Sequence, residues 1–176
     1  MTTQVRYWHG GIKVGNIAEA LQAMVGTLEY LDSGSFRNVY INAARSVVYK
    51  VEDATSTLQD GADNTREYEA ERLLAECGCA ARAYAVPCTL YTTGTGRTII
   101  AMPYYPRPGY AAFIGTREQF VRNIRAHNAH DHAPVIADML EDNYRTDARG
   151  NIRITDLNLD VAEYQFLVET ETTGRL

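Results

Sequence analysis

The sequence predicts a mixed α+β fold, and three observations predict it. Two runs of aromatic and β-branched residues, Phe36 to Ile41 and Val47 to Val51, flank a short turn, which is the pattern of a β-hairpin. Apolar residues at helical spacing occur on both sides of that hairpin and again in the second half of the chain. Pro103, Pro106 and Pro108 then punctuate the chain where strand-like sequence gives way to helical sequence.

Taken in order, the segment Asn16 to Tyr30 places Ile17, Leu21, Met24, Val25 and Leu28 near helical spacing behind a capping Asn16, so a helix is expected there. The hairpin follows, with Asn42-Ala-Ala-Arg45 as its turn. A polar stretch from Asp53 to Asp63 leads to Asn64, after which Glu67, Glu69, Glu71, Leu73 and Leu74 predict an acidic helix. Strands are expected around Arg82 to Tyr91 and Arg97 to Pro103, joined by a Thr- and Gly-rich turn. Beyond the proline connector, Thr116, Phe120, Val121 and Ile124 predict a helix; Pro134-Val-Ile136 and a loop lead to a short strand at Ile152 to Ile154. Strands and helices do not alternate strictly, which is why the class is α+β.

A length of 176 residues suits a single domain covering 1–176, divided here at about residue 103 into a first lobe with the N-terminal helix and a second lobe from 104. A formal net charge of −5 supplies no attraction for phosphate backbones, so nucleic acid is not an expected partner. No run of about 20 apolar residues is present for a membrane helix, and the N-terminus lacks a secretory pattern; a cytoplasmic protein with no membrane partner is expected. Cys77, Cys79 and Cys88 fit neither a disulfide framework nor a standard zinc spacing and read as buried thiols. His127, His130 and His132 read as a polar helix end rather than a metal cluster, and Thr93-Gly-Thr-Gly96 as a hairpin turn rather than a phosphate loop.

Several segments carry chemistry. Asp138 and Asn143 stand five positions apart, just beyond the apolar pair Val135-Ile136. Asp156 comes thirteen residues after Asn143, behind the turn Asp147-Ala-Arg-Gly150, which folds the preceding strand back as a hairpin. Carboxylate and amide oxygens are hard ligands of the kind Mg²⁺ takes. Val47-Val-Tyr-Lys50-Val sets a cation on an apolar strand, in a chain with only two lysines, Lys13 and Lys50, so Lys50 does not read as one more solvating charge. Ahead of it runs Leu31-Asp-Ser-Gly34-Ser-Phe36-Arg-Asn-Val39-Tyr40, and Met102-Pro103-Tyr104-Tyr105 ends an apolar strand.

In this order the segments, from about Leu31 to Asp156, resemble the protein-kinase-like phosphotransferase superfamily, and most closely its compact small-molecule-kinase-like and phage-encoded kinase-like proteins. The resemblance implies a minimal kinase-like fold: a small antiparallel-sheet N-lobe with one main helix, and a short helical remnant of the C-lobe. It implies ATP and Mg²⁺ as cofactors. Lys50 would contact the α- and β-phosphates and pair with a helix glutamate, for which the family pattern of Glu with Leu four positions later selects Glu69; Glu67 and Glu71 remain alternatives on another side of the helix. Gly34 and Val39 would cover the nucleotide, Met102 and Tyr104 would form the hinge at the adenine, Asp138 would orient the substrate hydroxyl or accept its proton, and Asn143 and Asp156 would hold the metal.

Departures from the family pattern accompany the match. Asp32 and Arg37 stand where the outer glycines of the loop are expected, Leu140 replaces a histidine, and Asn158 replaces the glycine of the Asp-Phe-Gly motif. Twenty residues follow Asp156, so a reduced C-lobe is expected. The leading functional expectation is an ATP- and Mg²⁺-dependent phosphotransferase acting on a hydroxyl, with a protein as substrate. Its rival is a catalytically inactive, pseudokinase-like binding protein, phage-encoded and acting on a host protein in the host cytoplasm. A small-molecule kinase with Glu141 and Asp142 facing a cationic substrate is a third. The sequence leaves oligomeric state open.

Overall fold

The computed structural model describes residues 6–7, 26–33, 37–52, 63–92, 97–129, 135–137 and 143–159. The chain divides into two compact units, one formed by Met1–Tyr68 with Pro87–Tyr104 and the other by Glu69–Val86 with Tyr105–Leu176. The class is α+β, as the sequence predicts.

The first unit is built on a six-stranded sheet of β1 (Arg6–Tyr7), β2 (Leu28–Ser33), β3 (Arg37–Asn42), β4 (Val47–Glu52), β5 (Thr89–Thr92) and β6 (Thr98–Pro103), in the spatial order β1-β5-β6-β4-β3-β2. All neighbours are antiparallel except β1, which runs parallel to β5. The β3–β4 hairpin forms where the sequence predicts it. Its turn is fixed by Asn42, whose carbonyl accepts from the Arg45 N–H and whose side-chain oxygen accepts from the N–H groups of Ser46 and Val47. Arg45 adopts the left-handed conformation at φ 49° that closes this turn.

Two expectations are corrected in this unit. Leu28, Glu29 and Tyr30 belong to strand β2 rather than to the end of a helix; residues 16–25 of that expected helix lie outside the described residues. The reason is pairing: Leu28 to Ser33 lie alongside β3, and only Leu28 of the six is buried, which leaves no apolar helical stripe to satisfy. The strand expected from Arg82 is shorter too, because Ala80–Tyr84 forms a 3₁₀ turn and pairing begins only at Thr89.

Strand β4 sits between β3 and β6 and is buried on both faces, which explains why apolar residues stand at consecutive positions on either side of Lys50 rather than alternating with solvent-facing polar ones. One face carries Tyr49 and Val51, packed with Leu28 and Ile99. The other carries Val48, Lys50 and Glu52, and the strand register places Val39, Ile41, Ile100 and Met102 on that same face.

Helix α1 (Asp63–Glu76) begins in the first unit and continues into the second. Its alanine, glutamate, arginine and leucine content favours a helix, and Cys77-Gly-Cys79 ends it. The second unit adds α2 (Tyr110–Asn128), the antiparallel pair β7 (Val135–Ala137) with β10 (Leu157–Leu159), and the hairpin β8 (Tyr144–Thr146) with β9 (Ile152–Ile154). Helix α2 starts after Pro108-Gly109, and its buried residues Phe113, Phe120, Ile124 and His127 follow helical spacing. Phe113, Phe120 and Ile124 meet Leu74, Tyr84, Tyr144, Ile154, Leu157 and Leu159 in one core, with edge-to-face contacts of Tyr84 on Phe120 at 4.9 Å and Phe113 on Tyr144 at 4.7 Å. No described helix is long and apolar enough to cross a membrane.

Candidate functional site

Lys50 lies on the inner face of β4 and is buried, a costly position for an ammonium group unless it is paired. The pair is Glu67, whose carboxylate accepts from Lys50 Nζ at 2.6 Å and also from the Arg37 guanidinium. Glu67 is wholly buried, so one carboxylate answers two cations drawn from adjacent strands. A neighbouring helix residue fixes the geometry. Asn64, also fully buried, donates through Nδ2 to the carbonyls of Lys50 at 3.1 Å and Thr98 at 2.9 Å, which ties the first turn of α1 to β4 and β6.

This corrects the expectation that Glu69 pairs with Lys50. Glu69 instead meets Arg72 at 2.7 Å at the partly exposed side of the helix. Helical phase decides the matter: Asn64, Glu67, Glu71 and Leu74 recur every three or four residues and are all buried, whereas Glu69 falls in phase with half-buried Arg72 and Leu73. The sequence carried that signal in Leu74, but the family spacing of Glu with Leu four positions later pointed to Leu73. Arg37 is the member that sequence reasoning placed elsewhere, at a phosphate-covering loop. Its alternation with Val39 along β3, on the face that carries Lys50, was the available signal.

The other residues of the first unit fall as follows. Val39 pairs in register with Lys50, and Met102 pairs with Val48, so both share the face of Lys50; Met102 is buried. The backbone N–H of Tyr104 donates to the Ser46 carbonyl at 2.9 Å, so this donor, expected at an adenine edge, is used within the protein. Gly34 lies outside the described residues. Further along β4, the buried Glu52 carboxylate accepts from both the N–H and the hydroxyl of Thr98, at 3.1 and 2.7 Å, so it is satisfied within the sheet.

In the second unit, Asn143 and Asp156 stand at one end of the β8–β9 hairpin. The Asn143 carbonyl accepts from the Thr155 N–H at 2.9 Å, and Asp156 is the next residue; both side chains are half-buried. Asp156 immediately precedes β10, whose first residue Leu157 pairs with Ala137 at the end of β7. Asp138 follows Ala137 in sequence and lies outside the described residues, as do Glu141, Asp142, His130 and His132.

The hairpin's other end is held by Asp147. Its carboxylate accepts from the Asn151 side chain, the Asn151 and Arg149 N–H groups and the Arg153 guanidinium, and these bonds, Asn151 foremost, hold it well below the usual carboxylate range. Arg153 extends the network to the carbonyls of Ala83 and Ala85, at 2.9 and 3.0 Å. Tyr144, fully buried beside Phe113 and Phe120, has its phenol pKa raised by desolvation.

A cysteine expectation also changes. Cys77 and Cys79 do not sit as separate buried thiols: their sulfurs are in bonding contact, and both side chains pack beside the core of the second unit near His127.

No family model matches the sequence, and no curated protein matches it. Among solved structures, the chain is similar to that of the streptomycin–ATP–APH(2")-IIa ternary complex, at a TM-score of 0.49 and 14% sequence identity, over 84% of this chain and 73% of that one.

Proposed function

We propose that the protein is an ATP- and Mg²⁺-dependent phosphotransferase of the protein-kinase-like kind, acting on a hydroxyl, with a protein as the substrate class. The observation that carries the reading is the buried Lys50–Glu67 ion pair at 2.6 Å, held on the same sheet face as Val39 and Met102. A lysine buried on an apolar strand and oriented by a helix carboxylate is the arrangement with which kinases engage nucleotide phosphates. The antiparallel order β5-β6-β4-β3-β2, with α1 inserted in sequence between β4 and β5, supports the same resemblance.

Phosphoryl transfer asks little covalent chemistry of the protein and much positioning and charge neutralisation. Lys50 would bear on the phosphates, with Glu67 holding its ammonium in place and Arg37 sharing that carboxylate. Asn143 and Asp156 supply hard oxygen donors of the type Mg²⁺ takes, and bound magnesium would offset charge on the transferring phosphoryl group. Asp138 would orient the acceptor hydroxyl.

Isothermal calorimetry with ATP, with and without Mg²⁺, tests the reading on wild type, Lys50→Met and Asp156→Ala. The expected result is binding that needs Mg²⁺ in wild type and is lost in both variants while circular dichroism shows them folded. Absence of binding by folded wild type overturns the reading and leaves a protein-interaction scaffold in its place.

A further inference from the structure

We propose that Cys77, Cys79 and His127, in the reduced protein, form a binding site for a soft or borderline divalent cation, zinc being the ion their chemistry fits. The site lies within the second unit and is independent of the nucleotide reading. Cys77 follows the last turn of α1, Cys79 precedes the 3₁₀ turn, and His127 lies in the last turn of α2. The topology thus brings three separately placed ligands together, and their donor atoms all lie within 4.8 Å of one another.

The spacing agrees with tetrahedral coordination. Cys79 Sγ is 3.6 Å from His127 Nδ1. Zinc–sulfur and zinc–nitrogen bonds of roughly 2.3 and 2.0 Å at a tetrahedral angle separate the two donor atoms by about 3.5 Å. The remaining contact is between the two sulfurs, which touch in the structure, as they do in the oxidised pair. The Cα atoms are 5.3 Å apart, so chelation asks the thiolates to separate to about 3.8 Å, a side-chain rotation rather than a backbone movement.

Burial favours an ion that enters from outside. His127 is 2% exposed and anchors the inner side, while both cysteines are only half-buried and form the outer side. Binding involves no electron transfer: the two thiols release their protons to solvent, Zn²⁺ keeps its charge, and water completes the fourth position. Thiolate and imidazole are donors that magnesium does not favour, so this site and the oxygen donors of Asn143 and Asp156 select different metals. Metal here would clasp the end of α1 to the end of α2. In the disulfide form, with the Cys77 and Cys79 sulfurs bonded to each other, neither is a thiolate, so only the dithiol form offers the site.

The test uses the full chain reduced with a phosphine, thiol titration confirming reduction, and Co²⁺ as a spectroscopic probe displaced by Zn²⁺. One Co²⁺ per chain is expected, with the visible bands of tetrahedral cobalt and a sulfur-to-metal charge-transfer band. Cys77→Ser/Cys79→Ser should lose the charge-transfer band and the rise in melting temperature that Zn²⁺ gives wild type. His127→Gln should keep the sulfur band and weaken binding at least ~10-fold. Should the buried His127 variant fail to fold, the double serine variant, altered only at half-buried positions, carries the test. No tetrahedral signal from folded, reduced wild type, or a signal unchanged in the double serine variant, overturns the proposal.

Discussion

Replacing Glu67 with glutamine is the most informative perturbation of the first unit. The change keeps the side chain's size, so no cavity is opened, and it removes the charge that Lys50 Nζ meets at 2.6 Å and that Arg37 shares. Glu67 is fully buried and the Lys50 side chain is 10% exposed, so solvent cannot replace the lost carboxylate. Breaking a buried ion pair by removing one partner costs about 3–5 kcal/mol, and two cations on one carboxylate place Glu67→Gln in that range. Urea denaturation of wild type, Glu67→Gln, Lys50→Met and the double variant measures it. The double variant should be more stable than the sum of the two single losses implies, because it no longer buries an ammonium without its carboxylate. Glu69→Gln should cost less than ~1 kcal/mol, because Glu69 lies partly exposed against Arg72. A Glu67→Gln loss below that of Glu69→Gln, or strict additivity in the cycle, would refute the assignment of Glu67 as the buried partner.

Asn64→Leu should destabilise by about 1–3 kcal/mol, since it withdraws the amide that donates to the carbonyls of Lys50 and Thr98; thermal unfolding checks this, and a neutral result would refute the helix-to-sheet tie. Asp147→Asn should lower the melting temperature most at neutral pH. The folded carboxylate titrates below its unfolded value, so its stabilisation is present above the unfolded range and fades as the pH falls toward the folded one. The gap between wild type and variant should therefore narrow as the pH drops below about 4, and a gap that widens there would contradict the sign.

Much of this protein was legible because local physics and tertiary environment agree. The β3–β4 hairpin follows from aromatic and β-branched runs around Asn42, and α2 from apolar residues at helical spacing behind Pro108-Gly109. Lys50 stood out as a cation on an apolar strand, and the structure places it buried there. Where sequence reasoning failed, long-range pairing overrode a local preference. Leu28 to Tyr30 read as helix until β3 lay alongside them, and Arg82 read as strand although Ala80–Tyr84 turns to meet the core of the second unit.

The residue types of the candidate site were set by the sequence alone: a buried-strand lysine, an acidic helix and a paired asparagine and aspartate at the hairpin end. Which glutamate meets Lys50 was a tertiary decision, because the phase of α1 is fixed by what Asn64 and Leu74 bury against and not by the spacing of its acids. The convergence of Cys77, Cys79 and His127 was likewise invisible in one dimension. Forty-eight residues separate Cys79 from His127, and only the packing of α2 against the 3₁₀ turn and the end of α1 brings sulfur and imidazole within reach of one ion.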